Sequence, residues 1–111
     1  MKWYLAKFIY QVVSGNGSHA PQFDEQLRLI RADEIEWAKE KATILGRLGE
    51  CSFTNDKQEP VEWKFVNLVD LCPITSMEDG AEIYSSTEEP KDVSDYLEMV
   101  QSKAKRLMKC M

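Results

Sequence analysis

Cysteine and histidine are scarce in this 111-residue chain, with three of the first and one of the second. The cysteines stand far apart at 51, 72 and 110, with no C-x-x-C pair and no histidine beside them. A structural zinc takes four such ligands at close spacing, so no metal site is expected, and an odd, dispersed set of thiols fits a reducing cytosol. Long apolar runs are missing as well. The most hydrophobic stretch, MKWYLAKFIYQVV, alternates and is interrupted by Lys7, which excludes a signal-peptide core and a membrane span as readings of it. Asn16-Gly17-Ser18 matches a glycosylation acceptor, a pattern with meaning only in a secreted protein. Positive charge is lacking where a phosphate backbone would need it. Between Asp56 and Glu98 twelve acidic residues face only Lys57, Lys64 and Lys91, and Lys103, Lys105, Arg106 and Lys109 beyond them are too local to form a binding stripe. Neither nucleic acid nor membrane is an expected partner.

Catalytic signatures are absent too: no nucleophile elbow, no triad spacing, no kinase-like set. The Gly15-Asn16-Gly17 run does not make a phosphate loop, because a strand rather than a helix N-terminus follows it. No cofactor is implied. What remains is an ordinary globular composition, 43% apolar and 30% charged, without low-complexity tracts. At this length a single domain over residues 1–111 with one core is expected.

Periodicity supplies the elements. Residues 3–13 predict a strand with Tyr4, Ala6, Phe8, Tyr10 and Val12 on one face and Trp3, Leu5, Ile9 and Val13 on the other, a pattern that belongs in the middle of a sheet. SGNGSHAP supplies turn chemistry, and Gln22–Arg31 alternates as a second strand. Asp33, with Glu36 three residues on, reads as the N-cap of a helix whose Trp37, Ala38, Ala42, Ile44, Leu45 and Leu48 form one broad face up to Gly49. Residues 50–60 read as loop. Val61–Cys72 predicts a third, central strand, with Val61, Trp63, Phe65, Val69 and Leu71 on one face and Val66 and Leu68 on the other. The Asp79-Gly80 turn leads to AEIYSS as a short fourth strand, and Val93, Tyr96, Leu97, Val100, Ala104, Leu107 and Met108 mark a last amphipathic helix, with acids in its first turns and bases in its last. The expected fold is α+β, ββα-ββα, with a four-stranded antiparallel sheet in the order 2-1-3-4 and both helices packed on one face.

Two places stand out. Glu25 shares parity with Phe23, Leu27 and Leu29, so alternation aims a carboxylate at the core. An inward acid must be paired, neutralised or placed at the mouth of a cleft; an edge-strand charge, a β-bulge that flips it outward, or a plain ion pair with a lysine or arginine are the structural alternatives. A ligand site there would draw on Glu25 with Tyr10, His19 or Glu82. His19 sits in a glycine-rich loop, and neighbours Asp24 and Glu25 point to opposite faces, so these three do not assemble a metal site. The second place is the sheet face opposite the helices. Leu5, Ile9, Val13, Val66 and Leu68 would leave a contiguous apolar patch there, which argues for a second copy or another protein as partner, unless one helix crosses to each face. Trp3, Tyr4, Trp37 and Trp63 read as core rather than as a stacking platform.

The segments KWYLAKFIYQVVSGNG, QFDEQLRLIRAD with its AKEKA helix, VEWKFVNLVDL and DGAEIYS resemble, in that order, domain-of-unknown-function family 4288, small and mainly bacterial proteins. The resemblance implies a stand-alone cytoplasmic α+β domain and carries over no activity, cofactor or catalytic residue. It draws attention to Glu25 and Glu82, each at a family-like position. The expectation is a non-enzymatic interaction module that self-associates through the open sheet face, with a small enzyme or ligand-binding protein using a cleft near Glu25 as the alternative.

Overall fold

A computed structural model describes residues 1–109. The elements in chain order are β1 (Lys2–Ser14), β2 (Gln22–Ala32), α1 (Ile35–Leu48), β3 (Cys51–Thr54), β4 (Pro60–Ile74) and α2 (Val93–Lys109). The α+β class and the four-stranded antiparallel sheet are as expected. The order is β2-β1-β4-β3, not 2-1-3-4. The difference lies in the second hairpin, which uses a strand before β4 rather than one after it. Residues 51–54 pair with 60–63 across a turn in which the Asn55 side chain accepts the backbone N–H groups of Lys57 and Glu59. The segment 81–86, expected as a strand, is irregular.

Both long strands lie inside the sheet, as their two-sided apolarity requires, and they pair with each other along nearly their whole length. That ladder is not regular. Lys7 pairs with Asp70 but Phe8 with Leu68, and Ile9 pairs with Asn67 but Tyr10 with Phe65, so Val69 and Val66 are each one residue in excess on β4. Each bulge inverts side-chain parity beyond it. Leu68 therefore turns to the helix side and packs against the core with Trp63, Phe65 and Leu71, whereas Val69, expected there, is half exposed.

The core sits between the sheet and α1. β1 contributes Tyr4, Ala6, Phe8 and Tyr10, β2 contributes Ile30 and Ala32, and α1 answers only with Ala38 and Ala42, followed one turn later by Gly46. Volume is divided unequally: aromatic rings rise from the sheet and the helix is bare. Phe65 packs edge-on to Phe8 at 5.7 Å between ring centroids and tilts against Tyr10 at 5.6 Å. A Cβ on Gly46 would collide with the Phe65 ring, and one on Gly49 with the Tyr10 hydroxyl. This corrects the expected helix face, since Trp37, Ile44, Leu45 and Leu48 all remain exposed. The expected capping box is also absent; Glu34 occupies the N-cap without a side-chain bond.

The second helix departs furthest from expectation. α2 buries no residue and makes no packing contact with the sheet or with α1, so only one helix covers the sheet. The radius of gyration, 17.7 Å, exceeds the roughly 13 Å of a closed domain of about this length.

Gly46→Ala separates intrinsic propensity from packing. Propensity alone would stabilise a helix interior by about 1 kcal/mol, whereas overpacking against Phe65 costs about 1–3 kcal/mol. A net loss in urea unfolding is expected, and a gain would show that the helix can lift away from the sheet.

Candidate functional site

The face away from α1 carries the chain's main cluster of charged and polar groups. Alternation along β1 puts Trp3, Leu5, Lys7, Ile9, Gln11 and Val13 on this side, and the pairing register sets Lys7 between Leu27 of β2 and Asp70 of β4, with Glu25 diagonal to it. A lysine in the middle of a central strand needs compensation, and it receives it from three directions. Its Nζ lies 3.4 Å from Glu25 Oε1 and 5.6 Å from the centroid of the Tyr84 ring, and the Tyr84 hydroxyl donates to Asp70 Oδ2 at 2.8 Å. Tyr84 belongs to the irregular segment 75–92 that follows β4, so this segment crosses the open face as a strap and is fastened at its centre. Leu5, next but one to Lys7, is only 8% exposed.

The electrostatics follow from these contacts. The Glu25 carboxylate holds the Lys7 ammonium above its ordinary value of 10.5 against a smaller opposing effect of burial, with Tyr84 and Asp70 adding to the rise. The hydrogen bond to Asp70 likewise holds the Tyr84 hydroxyl above its ordinary 10.0. Every member of the group is satisfied by another member.

Glu25 itself does not face the core. The α1 side of β2 carries Ile30 and Ala32, so Phe23, Glu25, Leu27 and Leu29 share the open side, and the Glu25 side chain is 63% exposed. The reason is register: even positions of β1 carry the core, and β2 pairs with β1 even to even. Of the structural alternatives, the plain ion pair is the one found. The clefts of about 380–440 Å³ on the described surface lie elsewhere, and Glu25 lines none of them.

The other expected site residues are scattered. Tyr10 lies on the opposite side of the sheet, where its hydroxyl donates to the Gly46 carbonyl at 2.7 Å in the buried interior; burial pushes that hydroxyl above its usual range. His19 accepts the Ser14 backbone N–H on Nε2 at 2.9 Å and lies 2.7 Å from the Ala20 carbonyl through Nδ1, which fixes the tautomer protonated on Nδ1 and staples the β1–β2 loop. It borders a cleft of about 420 Å³ with Asn55, Asp56, Lys57 and Glu59 from the second hairpin. Glu82 is exposed in the strap, two residues before Tyr84. The five apolar residues also divide. Leu5 is buried, Ile9 and Val13 are half-buried on the open side, Val66 is exposed at its bulge, and Leu68 belongs to the core. The exposed apolar groups of the open face lie instead on the edge strand: Phe23 at 58% and Leu27 and Leu29 at 55% each, with Trp3 beside Arg31.

Among the described residues no set of three His, Cys, Asp or Glu side chains is placed to hold a metal ion. Cys51 and Cys72 are unpaired thiols; Cys110 lies outside the described residues. No described helix is long and apolar enough to cross a membrane.

A one-sided α+β sheet with a strapped and partly apolar rear face defines the class. The chain belongs to the family described as a domain of unknown function (DUF4288), whose match spans residues 3–85 and so takes in the sheet, α1 and the strap as far as Tyr84, but not α2. No curated protein and no solved structure matches the chain.

The raised Lys7 and Tyr84 make the strap a pH-dependent contact. A group whose folded pKa lies above its unfolded one stabilises fully below the unfolded value and ceases to as pH climbs through the folded value. The fastening therefore holds at neutral pH and is lost above pH 10.0, Tyr84's ordinary value. Limited proteolysis between residues 75 and 92 should accelerate between about pH 8 and about pH 11, while Tyr84→Phe should already be cut quickly at the lower pH. Equal protection at both would mean the hydroxyl does not hold the strap.

Proposed function

We propose that this chain is a small, non-enzymatic interaction module of the cytosol that associates with a second copy of itself through the open sheet face. The observation that carries the reading is the state of Glu25: exposed, neutralised by Lys7, and outside the five clefts of about 380–440 Å³ on the described surface. A catalytic or ligand-binding carboxylate would stand in a concavity with convergent polar groups. Around it the same face exposes Trp3, Phe23, Leu27 and Leu29, the kind of contiguous apolar surface that soluble proteins cover. Free thiols at Cys51 and Cys72 support the cytosolic part of the reading. The acidic stretch from Asp56 to Glu98 supports a protein rather than a nucleic acid as partner.

Sedimentation of the purified chain over a range of concentrations tests this. A dimer is expected, and Leu27→Glu should weaken it by about 1–3 kcal/mol, or roughly five- to a hundred-and-fiftyfold in dissociation constant. Since Leu27 is exposed on an edge strand, the variant should keep its unfolding midpoint. A chain that stays monomeric at high concentration would refute the proposal.

A further inference from the structure

We infer that the open face is covered by α2 of the second copy, in a reciprocal exchange of the two C-terminal helices. This inference rests on the self-association proposed above and names the element that makes the contact. Two apolar surfaces in the molecule lack a partner within their own chain. One is the Phe23, Leu27 and Leu29 stripe of β2; the other is the Val93, Leu97, Val100 and Leu107 stripe of α2, which touches neither the sheet nor α1. Their lengths agree. At about 3.3 Å per strand residue the first extends for roughly 20 Å, and at 1.5 Å per helical residue the second extends for about 21 Å. Helix on sheet is also the layer pairing that the other face already uses.

Charge sets the direction. The first half of α2 carries Asp95 and Glu98 and the second half Lys103, Lys105 and Arg106, with no described acid after Glu98. The β2 stripe has Arg31 at its C-terminal end and Glu25 toward its N-terminal end, both exposed. A helix running antiparallel to β2 brings its acids to Arg31 and carries its bases away from it. The opposite direction sets Lys103, Lys105 and Arg106 against Arg31. Reciprocity closes the assembly at two chains, each helix, about 10 Å wide and 21 Å long, covering roughly 200 Å² of the other chain's sheet.

The strap makes the exchange feasible. Tyr84 is fastened over the middle of its own sheet, and the residues between it and Val93 can extend for about 30 Å. The family match ends at residue 85, and α2 lies outside it.

Disulfide trapping tests the geometry. In full-length chains carrying Cys51→Ser, Cys72→Ser and Cys110→Ser, a Leu29→Cys chain mixed with a Leu97→Cys chain should yield a crosslinked heterodimer on mild oxidation. Self-crosslinking of Leu29→Cys alone would mean that the sheets meet each other; the exchange would then be wrong while association through the open face would stand. A crosslink formed only within one chain of the double variant, at monomer mass, would seat the helix on its own sheet and overturn the exchange. Trapping of Leu97→Cys with Ile44→Cys instead of Leu29→Cys would place it on α1 and overturn it equally. In the native chain, Val100→Glu alters a side chain on a helix that meets neither the sheet nor α1 of its own chain and should weaken the dimer at least about tenfold. An unchanged dimer there would refute the role of α2, and a monomeric native chain would refute both proposals.

Discussion

Everything in this fold depends on β1 being buried from both sides while differing in chemistry between them. On one side Tyr4, Phe8 and Tyr10 fill the space beneath α1, which can approach because it presents Ala38, Ala42 and Gly46 rather than large side chains. Bulk on the sheet and bareness on the helix are two halves of one constraint, since interiors close to crystal density leave no room for both partners to be large. The Tyr10 hydroxyl then donates to the Gly46 carbonyl, and the bond fixes the helix along its axis as well as above the sheet. Large residues that would ordinarily form the buried stripe of α1 are displaced outward.

On its other side the same strand presents Lys7, and this single cation organises the rear of the molecule. It joins β2 through Glu25 and stands over Tyr84, which ties the strap to β4 through Asp70. Three otherwise separate pieces of chain meet at one point. A group so evenly compensated suits a fastening better than a reaction centre. The apolar edge of the sheet is left open beyond it, and an amphipathic helix is left at the end of the strap. The proposed assembly joins these two.

Much of the fold is legible in the residues. Two-sided apolarity places β1 and β4 inside the sheet, the glycine loop forms the first hairpin, and the spacing from Val93 onward predicts α2. The failures have physical causes. Cys51–Thr54 is a strand only because β4 offers it a free edge and Asn55 closes the turn; four residues in polar surroundings carry no period of their own. AEIYSS has strand-like composition, but its tyrosine is held by a side-chain bond to Asp70, not by a ladder. Parity along β2 distinguishes two faces but not which one meets the helix; that is set by pairing with β1. For the polar cluster, Lys7 was the available signal, a cation breaking an apolar strand at the parity of Ile9, but its partners come from register and from a loop.

The two extra valines of β4 also bear on how the family can vary. Each shifts the phase of the strand by one residue, and together they shift it by two, so Val61, Trp63, Phe65 and Leu71 all return to the helix side while only the residues between the bulges are out of step. Deleting either valine alone would remove its bulge and leave the flanking residues on their present faces, because the extra residue is the one that pairs with nothing on β1. Deleting both would make the ladder regular, with Leu68 still opposite Phe8 on the helix side and Asn67 opposite Ile9 on the other. At these two positions the strand can therefore change length one residue at a time, the bulge absorbing the change without reversing either end.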